Sequence, residues 1–479
     1  MYQFSGKLKM FSLALIVVGA LGIGAGFLGA PSTIEDAKEM VANKGGHGDD
    51  HGNSHDAKKS DDHKTDETHK EEASHDTKTD THAAVDAHGE DAQAKHDAHV
   101  FHQLQNRPWA SLYVALIFFL GVTLLVLAFY ASQRVAQAGW SVVLFRVMEA
   151  ITANLVPVSI IMVVMIVLTG MHMNHLFDWM SPGKMTPGDD NFDAIVYGKR
   201  LWMNVPGWMI RSIIYLLVWN AYRWFIRRNS IAEDTATDIK IYKRNYNVSV
   251  VFLLLFMLTE SMASWDWIMG LDPHWFSTLF GWYVLASLLV SALTVIAFVT
   301  IYLRSKGYLP RVNDSHIHDL AKFMFGFSVF WTYLWFAQFM LIWYANMPEE
   351  TTYFALRFGE YKTLFFSMLV MNFVFPILLL INSDFKSRPW FVFIGGIVIL
   401  AGHYIDLFIM IMPGTVGGSW SFGIPEIGAA LFFIGIFIYS VFSSFAKADP
   451  VPQGNPFLKE SEHFHYYNIE HHSGEDNHH

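Results

Sequence analysis

The sequence predicts an all-α membrane protein that crosses the bilayer many times. Three observations carry this. Of the 479 residues, 52% are apolar and 16% charged, against about 25% charged in an ordinary soluble chain. Mean hydropathy is +0.27. The apolar residues also gather into ten runs of the roughly 20 residues that a helix needs to cross a ~30 Å hydrocarbon core. Helices are the natural choice, because lipid offers no partner to an unpaired backbone amide.

The runs lie near 9–30, 109–131, 147–171, 204–226, 248–270, 280–303, 323–345, 364–382, 390–412 and 427–446. The first follows Lys7 and Lys9, as a secretory signal would. Its length of about 21 residues exceeds the usual 7–15 of a signal h-region, and Pro31 after Ala30 is a poor place to cleave. It therefore reads as a retained anchor, residues 1–31. A polar insert follows at 32–107. Helices 2–5 fill 108–279, helices 6–9 fill 280–413, the tenth helix lies within 414–447, and 448–479 form a tail.

The formal charge of −10 is concentrated in the insert, which alone carries a net −9. Residues 45–102 are of low complexity and too poor in apolar groups to offset their ordering entropy, so a disordered tether is expected. Eleven histidines fall between His47 and His102, and six more between His463 and His479. Their irregular spacing and the absence of cysteine point to no defined zinc site. A loose metal or proton buffer is the alternative to plain solvation.

The chain has no cysteine. It therefore has no thiolate for an iron–sulfur cluster and no Cys-x-x-Cys-His for covalent haem. Such centres would have to belong to partners. Haem b ligation is also not expected, because His403 alone lies well inside a run. No P-loop is present, and nothing in the charge pattern suggests a nucleic-acid surface.

Loop charge sets the expected orientation. With the N-terminus inside, 17 Lys and Arg residues lie on the inner side and 5 outside, the insert excluded. Both termini are then inside and the insert outside. A faint repeat adds an internal arrangement. Tyr113-Val114 precedes Arg134 as Tyr283-Val284 precedes Arg304, and Asp266 precedes Pro273 as Asp406 precedes Pro413. The two pairs match helices four apart, so helices 2–5 and 6–9 can form two parallel four-helix units flanked by helices 1 and 10. Chance is the competing explanation.

Ionisable groups within the runs are few, and such groups usually face a bundle interior or a wet cavity. His403 and Asp406 are three apart and share a helix face. A carboxylate beside an imidazole can relay a proton, and a packed, hydrogen-bonded histidine is the plain alternative. At the mid-membrane depth of Glu260, desolvation favours the neutral acid, the form from which a proton is exchanged. A static acid satisfied by Ser264 is the other reading. Asp266 stands between Trp265 and Trp267 near an interface. Arg211 can snorkel outward or neutralise Asp266 or Asp406. Asp272 and His274 lie in the turn after helix 5, as a proton exit or simply a helix stop at Pro273. Glu149 follows Arg146 by three residues, so a local ion pair is expected there. His172 and His175, just past helix 3, read as surface residues.

The stretch Ser264-Trp265-Asp266-Trp267-Ile268-Met269-Gly270-Leu271-Asp272-Pro273-His274-Trp275-Phe276-Ser277-Thr278-Leu279-Phe280-Gly281-Trp282-Tyr283 resembles the NrfD-like, quinone-binding membrane subunits of alternative complex III, the ActF type. So does His403-Tyr404-Ile405-Asp406-Leu407, followed by Met412-Pro413. The resemblance covers about residues 105–450. It implies ten helices with two internal four-helix bundles in a bacterial inner membrane. It implies a complex that oxidises menaquinol and passes electrons through an iron–sulfur subunit and multihaem and monohaem cytochrome c subunits, to a cytochrome c or directly to a haem–copper oxidase. A second NrfD-like subunit, small membrane subunits and lipid complete the set. The sister subunit, beside the iron–sulfur protein, is the better candidate for quinol oxidation. The subunit type seen here carries a proton path, and a quinone site in it stays open. By position, the family-like polar residues are Glu260, Asp266, Asp272, His274, His403 and Asp406. Two other readings stand beside this one: a secondary transporter, which repeated units with midplane acids also fit, and an anchor whose buried charges only fix helix packing.

Overall fold

The computed structural model describes residues 2–45 and 81–465. The histidines at 47–75 and 471–479 lie outside these residues. The chain divides into two compact units, one of 1–29 with 106–479 and one of 30–105.

The smaller unit holds the helix Ile34–Gly45 and the beginning of the helix Thr81–Val135. Residues 81–102, expected as tether, are thus helical. Their six alanines, with Glu90 and Gln93, are good helix formers, and propensity outweighs low complexity here. Before the first of these helices, the Ser32 hydroxyl donates to Asp36 at 2.8 Å. That bond, with those from Thr33, holds the Asp36 carboxyl below its ordinary range. Lys38 pairs with Asp97 at 2.8 Å.

The larger unit is built from ten long helices, and each predicted run corresponds to one of them, with ends that differ by a few residues. They are α1 (Gly6–Leu28), α2 (Thr81–Val135, from Asn106 onward in this unit), α3 (Gly139–Gly170, with two 3-10 turns), α4 (Val205–Glu233), α5 (Lys240–Trp267), α6 (Phe280–Ser305), α7 (Asp314–Ala345), α8 (Lys362–Leu380), α9 (Pro389–Val416) and α10 (Ile424–Phe445). Among the described residues there is no strand, and nine helices are long and apolar enough to cross a membrane. The exception is α4, whose Arg211, Asn220 and aromatic residues dilute its apolar content. Several helices run past their apolar cores, because a 28-residue helix such as α5 or α9 is ~42 Å long and outreaches the hydrocarbon.

Local sequence fixes several ends. Asn204 accepts from Gly207 N to open α4, with Pro206 in its first turn. Asn313 and His316 form a reciprocal cap at the start of α7, and Asn346 closes that helix with a left-handed φ of 48°. In α8 the stretch Val370–Val374 is a π-helical turn.

Neighbouring helices pack in sequence, α4 on α5, α5 on α6 and α6 on α7, while α9 returns to lie against α6 and α8. Helices α2 and α6 are buried on nearly every side. Helix α1 lies along α10 and is otherwise open to the surroundings. Glycines make that approach possible. A Cβ added at Gly19 would fall 2.3 Å from the Phe432 amide nitrogen, and one at Gly428 would fall 2.8 Å from the backbone of Gly22. Small residues at such a seam let backbones touch where lipid gives no hydrophobic drive.

The two ends of the bundle differ. At the tail end, the segment after α10 folds back. Ser461 donates to Trp140 O at 2.7 Å and accepts from Val143 N at 3.1 Å. Asn313 reaches Phe464 O at 2.7 Å, and Asp234 accepts from Gln453 N at 3.0 Å. At the long-loop end, residues 171–204 cover the helices. Lys199 donates to Pro273 O at 2.6 Å, Asn106 donates to His175 O at 2.8 Å, and Arg107 pairs with Glu426 at 2.9 Å.

Substituting Gly428→Leu should push α1 off α10. The expected loss is about 1–3 kcal/mol, the usual cost of overpacking a tight seam. Thermal unfolding in detergent checks it, and an unchanged midpoint would mean that α1 is not held by this contact.

Candidate functional site

Two carboxylates at matched places in the repeat, Asp266 on α5 and Asp406 on α9, are both buried. Their surroundings differ. Asp266 receives a two-pronged bond from Arg211 on α4, Nε to Oδ2 at 2.9 Å and Nη2 to Oδ1 at 2.7 Å. The Tyr215 hydroxyl adds a bond at 2.9 Å. Arg211 also stacks over Trp202, 4.2 Å from the ring centroid. Of the roles open to Arg211 in the sequence, the structure selects neutralising Asp266. The pair is closed, with both charges satisfied.

Asp406 has no arginine within bonding distance among the described residues. It accepts instead from the Tyr283 hydroxyl, from Ser287 Oγ at 2.7 Å and from Trp331 Nε1 at 2.9 Å. These come from α6 and α7. Tyr283 of α6 reaches Asp406, and its match, Tyr113 of α2, donates to Trp267 O beside Asp266 at 2.8 Å.

Proton positions follow from the bonding. His403 Nδ1 lies 2.9 Å from Ser287 Oγ and 3.9 Å from Asp406. When Asp406 is ionised, the single Ser287 proton goes to it. The imidazole then donates Nδ1–H to Ser287, giving a chain from His403 through Ser287 to Asp406. In that tautomer Nε2 carries the lone pair. It is buried without a hydrogen-bond partner, and can take up a proton while Nδ1–H moves on through the hydroxyl. The side chain of Asn372, also buried and unpartnered, packs against Gly402 next to this ring. Asn372 belongs to the π-helical turn of α8, a distortion frequent at functional sites.

Glu260 lies about 9 Å from Asp266 along α5. Both of its carboxyl oxygens are buried without a partner. Ser264 does not satisfy it, because its hydroxyl donates to Ser261 O at 2.8 Å. Glu260 instead borders a cavity of about 30 Å³ walled by Leu120, Leu124, Trp219 and Leu288. That is room for about two waters. A second cavity, of about 10 Å³, lies between Asp406, Tyr283, Gln338, Tyr353 and Arg357, room for about one.

Asp272 and His274 sit apart from the buried acids, in the turn after α5. The exposed His274 ring meets Asp193 of the long loop at 2.6 Å. Burial works against the Asp193 carboxylate, but the Val196 amide, His274 and the Ile195 amide hold it below its ordinary range. Half-burial pulls the Lys199 amine beside Asp272 below its own.

One buried cluster is larger than its sequence signal. Glu149 pairs with Arg146 at 2.8 Å, as expected, and also with Arg227. It accepts from Tyr130 at 2.8 Å and from Ser230. Arg146 continues to Asp234, and Arg134 to Glu233 at 3.2 Å. This network ties α2, α3 and α4 together at the tail end. Its long-range members, 78 and more residues from Glu149 or Arg146, leave no local pattern. Among the described residues, no three His, Asp or Glu side chains converge as metal ligands would.

Compared with known proteins, the chain matches no family model, and no curated protein is significantly similar to it.

Substituting Arg211→Met strands the Asp266 charge and should destabilise the bundle by about 3–5 kcal/mol. Adding Asp266→Leu should restore most of that loss. Denaturant titrations of both single variants and the double check it, and strict additivity would mean that the two groups are not energetically coupled.

Proposed function

We propose that this chain is an NrfD-like membrane subunit of a quinol-oxidising respiratory complex of the alternative complex III type, and that its own task is proton transfer. The arrangement is then two four-helix units, α2–α5 and α6–α9, with α1 and α10 at the flank. In the orientation favoured by loop charge, the long-loop end faces outside and both termini face inside. Electrons would travel through iron–sulfur and haem c centres of partner subunits.

The observation that carries this reading is the chain His403–Ser287–Asp406, buried in an apolar bundle with an unpartnered nitrogen at one end. A packing device would have both ends satisfied. Glu260, with its empty valences beside a water-sized cavity, adds a second exchangeable group. The cavities at these acids have room for a water or two and not for a quinone ring, which favours proton transfer over quinol oxidation as this subunit's part. Ser287 is central, because its hydroxyl must accept from the ring and donate to the carboxylate in the same step.

A second reading has its own support. The closed Arg211–Asp266 pair and the Glu149 network are satisfied ion clusters of the kind an anchor subunit needs.

The complex purified through this chain should carry haem c absorption and an iron–sulfur partner. In it, Asp406→Asn should leave subunit content unchanged and reduce quinol turnover or proton yield about tenfold or more. Ser287→Ala should do the same, and Ser287→Thr should recover part of the loss. Wild-type turnover and proton yield in Asp406→Asn would sink the proton role. A colourless chain that purifies alone would sink the respiratory reading.

A further inference from the structure

Arg357 is a buried cation that the proton chain does not use. It lies on the short helix Pro348–Gly359 and is only 4% exposed. Its Nη1 donates to Tyr353 O at 2.7 Å, and its Nε has no partner. Among the described residues it makes no ion pair. Its guanidinium rests on the Tyr353 ring, 3.3 Å from the centroid. On the far side Tyr353 stacks on Trp275, with centroids 3.9 Å apart and planes 16° from parallel. The cation is thus parked on an aromatic stack.

Arg357 and Asp406 border the same small cavity. An unpaired guanidinium in a low-dielectric interior is costly, and a buried carboxylate without a cation is too. The repeat supplies the comparison. In the first unit Asp266 holds its arginine directly, by two bonds. In the second, the acid and the arginine stand apart with a water-sized gap between them.

We propose that Arg357 is a mobile counter-charge for Asp406, moving between the Tyr353 ring and the carboxylate across this cavity. With Asp406 ionised, the guanidinium swings in and replaces the Tyr283 or Trp331 bond. With Asp406 protonated, the attraction is gone and Arg357 returns to the ring. The structure holds the parked position. The other polar groups facing Asp406 are His403 on its own helix, Tyr283 and Ser287 on α6, Trp331 and Gln338 on α7 and Tyr353 beside Arg357, with the Asp272 carboxylate also in electrostatic reach of Tyr353. None of these carries a permanent positive charge, so Arg357 is the fixed cation of the site. Arg357 acts through Asp406 and is a positioning residue.

The inference deepens the proton-path reading and gains its purpose from it, but the pairing can be read separately. The experiment is infrared spectroscopy of the full chain in lipid nanodiscs, following the neutral carboxyl band that Asp406→Asn removes. In Arg357→Gln the ratio of neutral to ionised Asp406 should rise about tenfold or more at a given pH, the effect of removing a nearby opposite charge. Arg357→Lys should restore much of it. Tyr353→Leu removes the parking place and should shift the ratio the other way. That variant keeps the test alive if Arg357→Gln does not fold. An Asp406 band indifferent to both Arg357→Gln and Tyr353→Leu would overturn the proposal. Coupled bands with normal turnover in Asp406→Asn would keep the ion pair and discard the proton path; uncoupled bands with impaired turnover would do the reverse.

Discussion

Charge inside an apolar bundle has to be neutralised, hydrogen-bonded or hydrated, and the architecture is arranged around that demand. Desolvating an ion costs several kcal/mol even after relaxation. The chain meets the cost in three ways. At the tail end it gathers cations and anions into one network centred on Glu149. On α5 it closes Asp266 onto Arg211. On α9 it surrounds Asp406 with neutral donors from α6 and α7. The first two solutions are rigid. The third uses no charged partner.

The two acids are therefore held in different ways. Each half has a tyrosine on its central helix and an acid near the end of its last helix. Where the first half spends its arginine on a static bridge, the second has a serine between acid and imidazole. Glu260 stands between these extremes, on the rigid half yet without any bond from the protein. The cavity beside it has room for a water that would satisfy it.

The helices were legible in the sequence because a span needs a long apolar run and nothing else in the chain looks like one. Their ends were not, because the polar turns that extend α5, α7 and α9 beyond the bilayer carry no hydropathy signal. Glu260, Asp266, His403 and Asp406 stood out as rare charges in apolar surroundings, and the three-residue spacing joined the last two. What stayed hidden was long-range. Arg227 meets Glu149 across 78 residues, and Ser287 meets Asp406 across 119. Serines are common on buried helices, so nothing marked Ser287. Arg357 looked like an ordinary loop cation, since its burial depends on how the short helix Pro348–Gly359 folds in. Asn372 is exposed as unusual only by the π-helical turn that carries it.

The seam between α1 and α10 bears on how the protein is made. Its two sides are separated by nearly the whole chain, and α1 has no other extensive partner. During synthesis α1 is made long before α10, so its glycine face stays uncovered until that partner follows. Tyr2 waits likewise, since the Phe442 and Phe445 rings it packs against arrive with that same span. Closure of this seam thus waits for α10. A chain that stops short of α10 leaves a bundle with α1 undocked and its glycine face open to lipid.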